Sequence, residues 1–193
     1  MTNVYFVRHA QPLFSHAHDL TRPLTDEGMK DAGIVLSHLK DKEINVFYCS
    51  PYKRSVDTIR ETAEYYGMEI NKDVRFRERE KGPDSNNHSM FRKRWEDHSF
   101  AEEGGESIQV VQDRNIEALH EVLRKHEGKN IVIGTHGTAL STILNYYYPD
   151  FGCDDFLRII DWMPYILAAE FDGVNLVSMK EIAYIEKIFE PNK

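Results

Sequence analysis

The first strand of the fold is predicted at Val4-Tyr5-Phe6-Val7-Arg8-His9. Its first four residues form a short apolar run rich in β-forming side chains, which is typical of a strand buried on both faces of a parallel sheet. Residues 46–49 and 130–135 are two further runs of the same kind. Each of the three runs is followed by a helical segment. This alternation of strand and helix predicts a mostly parallel sheet.

Helix signals and a late hairpin complete the fold prediction. Four segments have apolar side chains at helical spacing or helix-start and helix-stop residues: 25–40, 50–67, 107–125 and 137–147. Thr25 is the expected N-cap of the first, and Ser50-Pro51 the expected start of the second. Two late apolar runs, 166–171 and 175–181, predict a hairpin. The fold class expected is α/β, with three α/β/α layers, a mostly parallel open sheet, helices on both faces and an antiparallel edge strand.

Length and composition set the domain organisation. The 193 residues, 41% of them apolar and 29% charged, fit one domain spanning residues 1–193 around a single core, and they exclude a disordered tail or a fibre. Residues 81–105 mix turn formers, charges and isolated aromatics. We interpret this segment as an excursion, part loop and part short helix, that forms a lid or substrate loop. A solvated insertion is the alternative.

The charge balance limits the partners that the chain can have. With 24 basic and 32 acidic side chains the formal net charge is −8, which argues against general binding to nucleic acid or to a membrane surface. No run approaches the roughly 18 apolar residues of a membrane span, and no secretory leader is expected. Cys49 and Cys153 lie in apolar or aromatic stretches, which favours reduced thiols and a cytoplasmic protein. The sequence predicts no oligomeric state.

Ligands in an open α/β sheet bind beyond the carboxyl ends of the strands. The first strand ends in Arg8-His9, the second runs into a helix that carries Arg54, and the third ends in His136-Gly137. These side chains and the helix N-termini beside them favour a phosphate, whose oxygens two guanidiniums can clamp. A neutral imidazole can act as nucleophile near pH 7, so no metal or other cofactor is required. His16-x-His18 lacks a diagnostic metal-ligand spacing, and no metal site is predicted.

These residues lie in motifs that resemble those of the histidine phosphatase superfamily, the phosphoglycerate mutase-like group. Six motifs follow one another in the family's order and cover most of the chain. They are Val7-Arg8-His9-Ala10-Gln11, Pro23-Leu24-Thr25-Asp26-Glu27-Gly28, Ser50-Pro51-Tyr52-Lys53-Arg54-Ser55-Val56-Asp57-Thr58, Phe76-Arg77-Glu78, Gly104-Gly105-Glu106-Ser107 and Val132-Ile133-Gly134-Thr135-His136-Gly137. The resemblance implies the family's fold and its phosphate chemistry at the strand ends.

The resemblance also implies a role for each matching position. His9 matches the nucleophile that becomes phosphohistidine. Glu78 matches the proton donor to the leaving group. Arg8, Arg54 and His136 match the phosphate pocket.

Three further positions are implied as substrate-binding. Gln11 and the Gly137 amide add hydrogen-bond donors, and Ser15 stands where the family often has an asparagine six residues after the nucleophile. Glu80 could share the face of Glu78, because alternate side chains of an extended segment point the same way. We expect Glu78 rather than Glu80 to be the proton donor.

The function expected is that of a metal-independent phosphomonoesterase that acts on a small phosphorylated metabolite through a phosphohistidine intermediate. Two alternatives remain: phosphoglycerate mutase-type phosphoryl transfer, and a non-catalytic module on the same fold that binds a phospho-ligand or a protein. The cofactor-dependent mutases of the superfamily are typically longer than this chain and have a Tyr-Gly pair after the proton donor. In this chain Arg79-Glu80-Lys81-Gly82 follows Glu78. A missing site residue would favour the binding module, and Arg8, His9, Arg54 and His136 are all present.

Overall fold

A six-stranded sheet carries the predicted site residues at one edge. The structure, a computed structural model, describes residues 1–83 and 90–188. In these residues the strands are β1 (Thr2–Arg8), β2 (Val46–Cys49), β3 (Ile70–Lys72), β4 (Asn130–Thr135), β5 (Trp162–Asp172) and β6 (Asn175–Glu186). They lie in the order β3-β2-β4-β1-β5-β6. The pairs β3-β2, β2-β4 and β4-β1 are parallel, whereas β5 runs antiparallel to both β1 and β6.

Helices connect the strands. In the described part of the chain they are α1 (Asp26–Asp31), α2 (Gly33–Leu39), α3 (Lys53–Tyr65), α4 (Met90–Glu96), α5 (Ile108–Lys125), α6 (Gly137–Tyr147) and α7 (Cys153–Ile159). A 3₁₀ turn, Val74–Phe76, leads into the segment that carries Glu78.

Different helices cover the two faces of the sheet. Along β1, Val4 and Phe6 pack into an apolar cluster with side chains of α5 and α6, while Val7 packs into a second cluster with side chains of α2 and α3. Successive side chains of a strand point to opposite faces, so one apolar strand supplies both cores. The predicted fold class, with its mostly parallel sheet, its two helical layers and its antiparallel edge, is confirmed.

Most elements lie where the sequence predicts them. β2 and β4 match the predicted runs residue for residue, and the late hairpin is confirmed as β5 and β6, both longer than expected. The Thr25 hydroxyl accepts the N–H of Gly28, which confirms the predicted N-cap. Gly67 follows α3 with a φ of +63°, a left-handed conformation that favours glycine.

The helix predicted at residues 25–40 is wrong in one respect, because it is interrupted at Ala32. The N–H of Ala32 is shared between the carbonyls of Gly28 and Lys30. The two halves pack on different supports. A Cβ at Gly28 would lie 2.3 Å from the carbonyl oxygen of Gln11, so α1 lies directly against that backbone, whereas α2 packs on α3.

The helix predicted to start at Ser50-Pro51 begins instead at Lys53. The Ser50 hydroxyl lies 2.7 Å from Nε2 of His136, so it is engaged by a site residue. It also accepts the N–H of Tyr52 at 3.2 Å, inside a turn that precedes the helix. β3 and α7 were not predicted, since elements of three and seven residues are too short to show a clear period.

The excursion predicted at residues 81–105 is only partly described, since residues 84–89 lie outside the described residues. Its described part contains α4, which packs against α7 beside the carboxyl edge of the sheet. A lid role for this segment stays a prediction.

Two further findings bear on the sequence-based expectations. Cys49 is buried, Cys153 is partly buried, and both are free thiols. None of the helices in the two described ranges is long and apolar enough to cross a membrane.

The pairing register brings three strand ends together. Arg8 at the end of β1 pairs with Thr135 at the end of β4, and Cys49 at the end of β2 pairs with Gly134. The parallel neighbours therefore end at one edge, as predicted. The residues that follow them emerge side by side: His9, Ser50 and His136.

Gly134 lets β4 lie close to β2 and α3, and this packing can be tested. A Cβ at Gly134 would lie 2.5 Å from Sγ of Cys49 and 3.2 Å from Cδ1 of Ile59. We expect Gly134→Ala to lower the free energy of unfolding by about 1–3 kcal/mol, as overpacking of a core does. Gly33→Ala is the control, because its Cβ meets nothing within 4 Å. Urea unfolding curves that give both variants the same stability would contradict this account.

Candidate active site

Two histidines form the centre of the site. His9 follows β1 and His136 follows β4, and their ring centroids lie 5.1 Å apart with an edge-on angle of 62°. Both are buried, with 5% and 0% of their surface exposed. His9 lines a cavity of about 730 Å³ at the carboxyl edge of the sheet.

The hydrogen bond of His9 fixes its tautomer. Nδ1 lies 2.7 Å from the carbonyl oxygen of Ala10, and since that carbonyl can only accept, Nδ1 donates. Nε2 of the neutral ring therefore keeps its lone pair. Burial, together with the positive charges of Arg54 and Arg8, holds the pKa of His9 well below the usual value. The ring is neutral at physiological pH and has the electronic state that a nucleophile requires.

His136 lies beside His9 and is also neutral. Burial and the charge of Arg54 hold the pKa of His136 well below its ordinary range. Its Nε2 lies 2.7 Å from the Ser50 hydroxyl. Its Nδ1 is buried and has no hydrogen-bond partner among the described residues. Buried polar groups are normally paired, so this nitrogen is a candidate for binding a ligand oxygen.

Arg8, the last residue of β1, is a buried cation that lines the same cavity as His9. Nη1 of Arg8 donates to the Ile159 carbonyl at 2.7 Å, while its Nε has no partner in the described part of the chain. Burial lowers the pKa of Arg8 to about 10, which still leaves the group charged at neutral pH. A Cβ at Gly137 would lie 3.1 Å from the guanidinium carbon, so the missing side chain allows Arg8 to pack on the start of α6.

Arg54, from the first turn of α3, holds a carboxylate. Its Nη1 donates to Oδ1 of Asp19 at 3.0 Å, and its Nη2 lies 3.4 Å from Oδ2. Arg22 binds the same carboxylate at 2.6 Å. A phosphate at the histidines would compete with Asp19 for the Arg54 fork. Asp19 and Arg22 both line the cavity, and sequence reasoning missed them as site residues. Their only local signal is an Asp-x-x-Arg spacing, which is common.

Glu78 lies at the N-terminus of α6. Its Oε2 accepts the N–H of Thr138 at 3.1 Å, and its Oε1 accepts the N–H groups of Ala139 at 3.2 Å and Arg79 at 2.8 Å. The carboxyl group lines the cavity that also contains His9. Glu80, the alternative acid, is exposed and does not line the cavity. The geometry therefore favours Glu78 over Glu80.

A partly buried ionic network holds the backbone that carries Glu78. Arg114 of α5 donates to the carbonyls of Arg75 at 2.6 Å, Arg77 at 2.8 Å and Glu78 at 3.2 Å. Glu106 binds both Arg77 and Arg114. Although burial opposes its ionisation, hydrogen bonds from these two arginines lower the pKa of Glu106 to about 2. Sequence reasoning quoted Glu106 within a motif but gave it no role, and Arg114 carried no signal.

Two predicted substrate contacts are not brought to the cavity. Oε1 of Gln11 accepts a hydrogen bond from the Thr25 hydroxyl, and Ser15 is exposed; neither lines the cavity. Nε2 of His16 lies 2.9 Å from the Thr21 hydroxyl. In the described ranges no three His, Cys, Asp or Glu side chains are grouped as metal ligands would be.

Comparison with known proteins assigns the family. The model of the histidine phosphatase superfamily (branch 1) matches residues 4–160, and the chain therefore belongs to this superfamily. Phosphoserine phosphatase 1 of Hydrogenobacter thermophilus is 28% identical to this chain, and the alignment covers 80% of this chain and 83% of that protein. A metal-independent phosphoserine phosphatase of Arabidopsis thaliana is 27% identical over 74% of this chain and 67% of that protein. The structure of Bacillus stearothermophilus YhfR matches with a TM-score of 0.75 and 25% identity, over 92% of this chain and 95% of that one.

These findings confirm the two main expectations from the sequence. The suspected family is confirmed, and the chain is a phosphatase that acts on phosphomonoesters. The roles of individual residues stay predictions.

The low pKa of His9 predicts a neutral ring in mildly acidic solution. Ring ¹⁵N shifts of His9, assigned with a His9→Gln variant, should remain those of the neutral Nδ1–H tautomer as the pH falls through 6.5, where an exposed histidine is ordinarily half protonated. The same ring in urea should titrate near 6.5 and serves as the control. Since the unfolded chain takes up the proton first, acidification through this range also lowers the free energy of unfolding. A folded-state midpoint at or above 6.5 would contradict the assignment.

Proposed function

We propose that this protein is a metal-independent phosphomonoesterase that forms a phosphohistidine at His9 and acts on a small phosphorylated metabolite in the cytoplasm. One observation carries the proposal. His9 is a neutral imidazole whose Nε2 keeps its lone pair, and it lines a cavity together with two buried guanidiniums, those of Arg8 and Arg54. A nucleophile beside fixed positive charge is what transfer of a phosphoryl group requires.

Binding would use the groups that lack an internal partner. Nε of Arg8 and Nδ1 of His136 are buried without one among the described residues, and a phosphate oxygen would pair with each. The Arg54 guanidinium would exchange the Asp19 carboxylate for the phosphate, and the Gly137 amide at the start of α6 adds a donor. We assign no phosphate contact to Gln11 or Ser15.

Transfer would proceed in two steps. Nε2 of His9 attacks phosphorus, the bond to the ester oxygen breaks, and Glu78 gives its proton to the departing alcohol. Three N–H groups hold the Glu78 carboxyl group in place at the start of α6. In the second step Glu78 takes a proton from water. The water oxygen then attacks phosphorus, which releases inorganic phosphate and restores His9.

The first test is hydrolysis without metal. We expect the purified protein to hydrolyse an aryl phosphate in excess chelator, and we expect His9→Ala to lower kcat by roughly 10³-fold or more, because the attacking atom is lost. His38→Ala is the matched control, since His38 is exposed on α2. Full activity in His9→Ala would contradict the role of His9 as the nucleophile.

A panel of phosphorylated metabolites separates the reaction types. Each reaction is scored for inorganic phosphate and for isomerised product. Release of phosphate supports the proposed hydrolysis, and isomer without phosphate would establish a mutase instead. Binding without either product would leave the chain as a binding module.

The role of Glu78 predicts a dependence on the leaving group. Glu78→Gln should lower kcat/KM for alkyl phosphates by roughly 10²–10⁴-fold, because a poor leaving group needs the proton. The loss should be much smaller for 4-nitrophenyl phosphate, whose leaving group departs without one. Glu80→Gln is the matched control and should leave both substrates unaffected. Equal losses for the two substrate types would remove Glu78 from the acid role.

A further inference from the structure

The cavity continues past the phosphate end into an apolar chamber. His9, Arg8 and Arg54 line one part of the cavity, and apolar side chains of α4, α5, α7, the residue after α7 and the start of β5 line the rest of its wall. These side chains are Trp95, Ile108, Phe156, Leu157, Ile160 and Met163. The cavity volume of about 730 Å³ lies within the range of pockets that hold ligands of drug size, so it has room for much more than a phosphate group.

The wall is preformed by tight packing. Trp95 of α4 and Phe156 of α7 lie with ring centroids 5.7 Å apart and form a small core of their own with Ile108. These three residues expose 8%, 5% and 1% of their surface. Leu157, by contrast, is 36% exposed and lines the same cavity. The tightly packed residues keep this wall rigid. When an apolar group of a substrate covers the exposed Leu157, the free energy of binding becomes more favourable.

The basic side chains along the chamber do not form a binding site for a second anion, because two of them are already paired. Arg79 and Arg94 line the cavity, but both bind the carboxylate of Glu102. Arg79 also donates to the Glu106 carbonyl at 2.9 Å. Lys81 lies exposed where the cavity meets solvent. The rest of the chamber wall is largely apolar: Arg79 and Arg94 are paired, and the carboxyl groups of Glu78 and Asp161 line the same cavity.

We propose that the preferred substrate is a phosphomonoester whose alcohol carries an apolar alkyl or aryl group, and that the chamber lined by Trp95, Phe156 and Leu157 binds this group. The inference rests on the proposed phosphatase function. It differs from what the names of the two phosphoserine phosphatase relatives would suggest, because the alcohol of phosphoserine is small and zwitterionic.

A series of n-alkyl phosphates from ethyl to hexyl tests the proposal. The leaving alcohols have nearly the same acidity, so the chemical step stays constant while the apolar area grows. We expect kcat/KM to rise by up to about fourfold per methylene, mainly through KM. Hexyl phosphate should also exceed phosphoserine and 3-phosphoglycerate.

A variant of the chamber wall tests whether the rise in kcat/KM with chain length arises in the chamber. Leu157→Asn should flatten the rise with chain length and leave the inhibition constant of inorganic phosphate unchanged, because phosphate alone does not reach this side chain. Val177→Asn is the matched control, since Val177 is an exposed apolar residue of β6 outside this cavity.

The measurements distinguish a failure of the chamber proposal from a failure of the proposed phosphatase function. If all the esters are hydrolysed but kcat/KM is flat or falls with chain length, the chamber does not bind the alcohol and this inference is wrong while the phosphatase function stands. A rise that persists unchanged in Leu157→Asn would likewise contradict the assigned wall. If no ester is hydrolysed, the proposed function fails and the inference fails with it.

Discussion

The site depends on two guanidiniums buried against two imidazoles at the carboxyl edge of the sheet. Arg8 and Arg54 are 7% and 3% exposed, and removing such charges from water is costly unless other groups bind them. The Ile159 carbonyl and the Asp19 carboxylate supply part of that binding. The oxygens of an anionic ligand can provide the remainder. Burial and the same charges keep His9 neutral, so affinity for phosphate and nucleophilic character share part of their physical origin.

This arrangement explains how a chain with a net charge of −8 can bind an anion. The acidic excess lies on the surface, whereas the field inside the cavity comes from a few buried groups at short range. Acidic residues also serve inside. Glu106 is clamped by Arg77 and Arg114, and this network fixes the backbone that presents Glu78 to the cavity. Glu106, whose pKa is lowered, thus helps to position Glu78, the carboxyl group that exchanges a proton in the proposed mechanism.

Much of the site could be predicted from the sequence, for a topological reason. Parallel strands end at the same edge, so Arg8-His9 and His136 had to meet once their strands were recognised. Asp19, Arg114 and the chamber around Trp95 could not be predicted, because they reach the site through tertiary contacts between segments without a distinctive local pattern. The start of the second helix was missed for a similar reason, since the hydroxyl of Ser50 is engaged by a histidine 86 positions away.

In the proposed mechanism His9 itself takes the phosphoryl group. Rapid quenching of the protein during turnover of a ³²P-labelled ester, followed by mass spectrometry of its peptides, tests this directly. We expect a label that is labile in acid, stable in alkali, located on His9 and formed at least as fast as kcat. Turnover with no labelled His9, or with the label on another side chain, would contradict it.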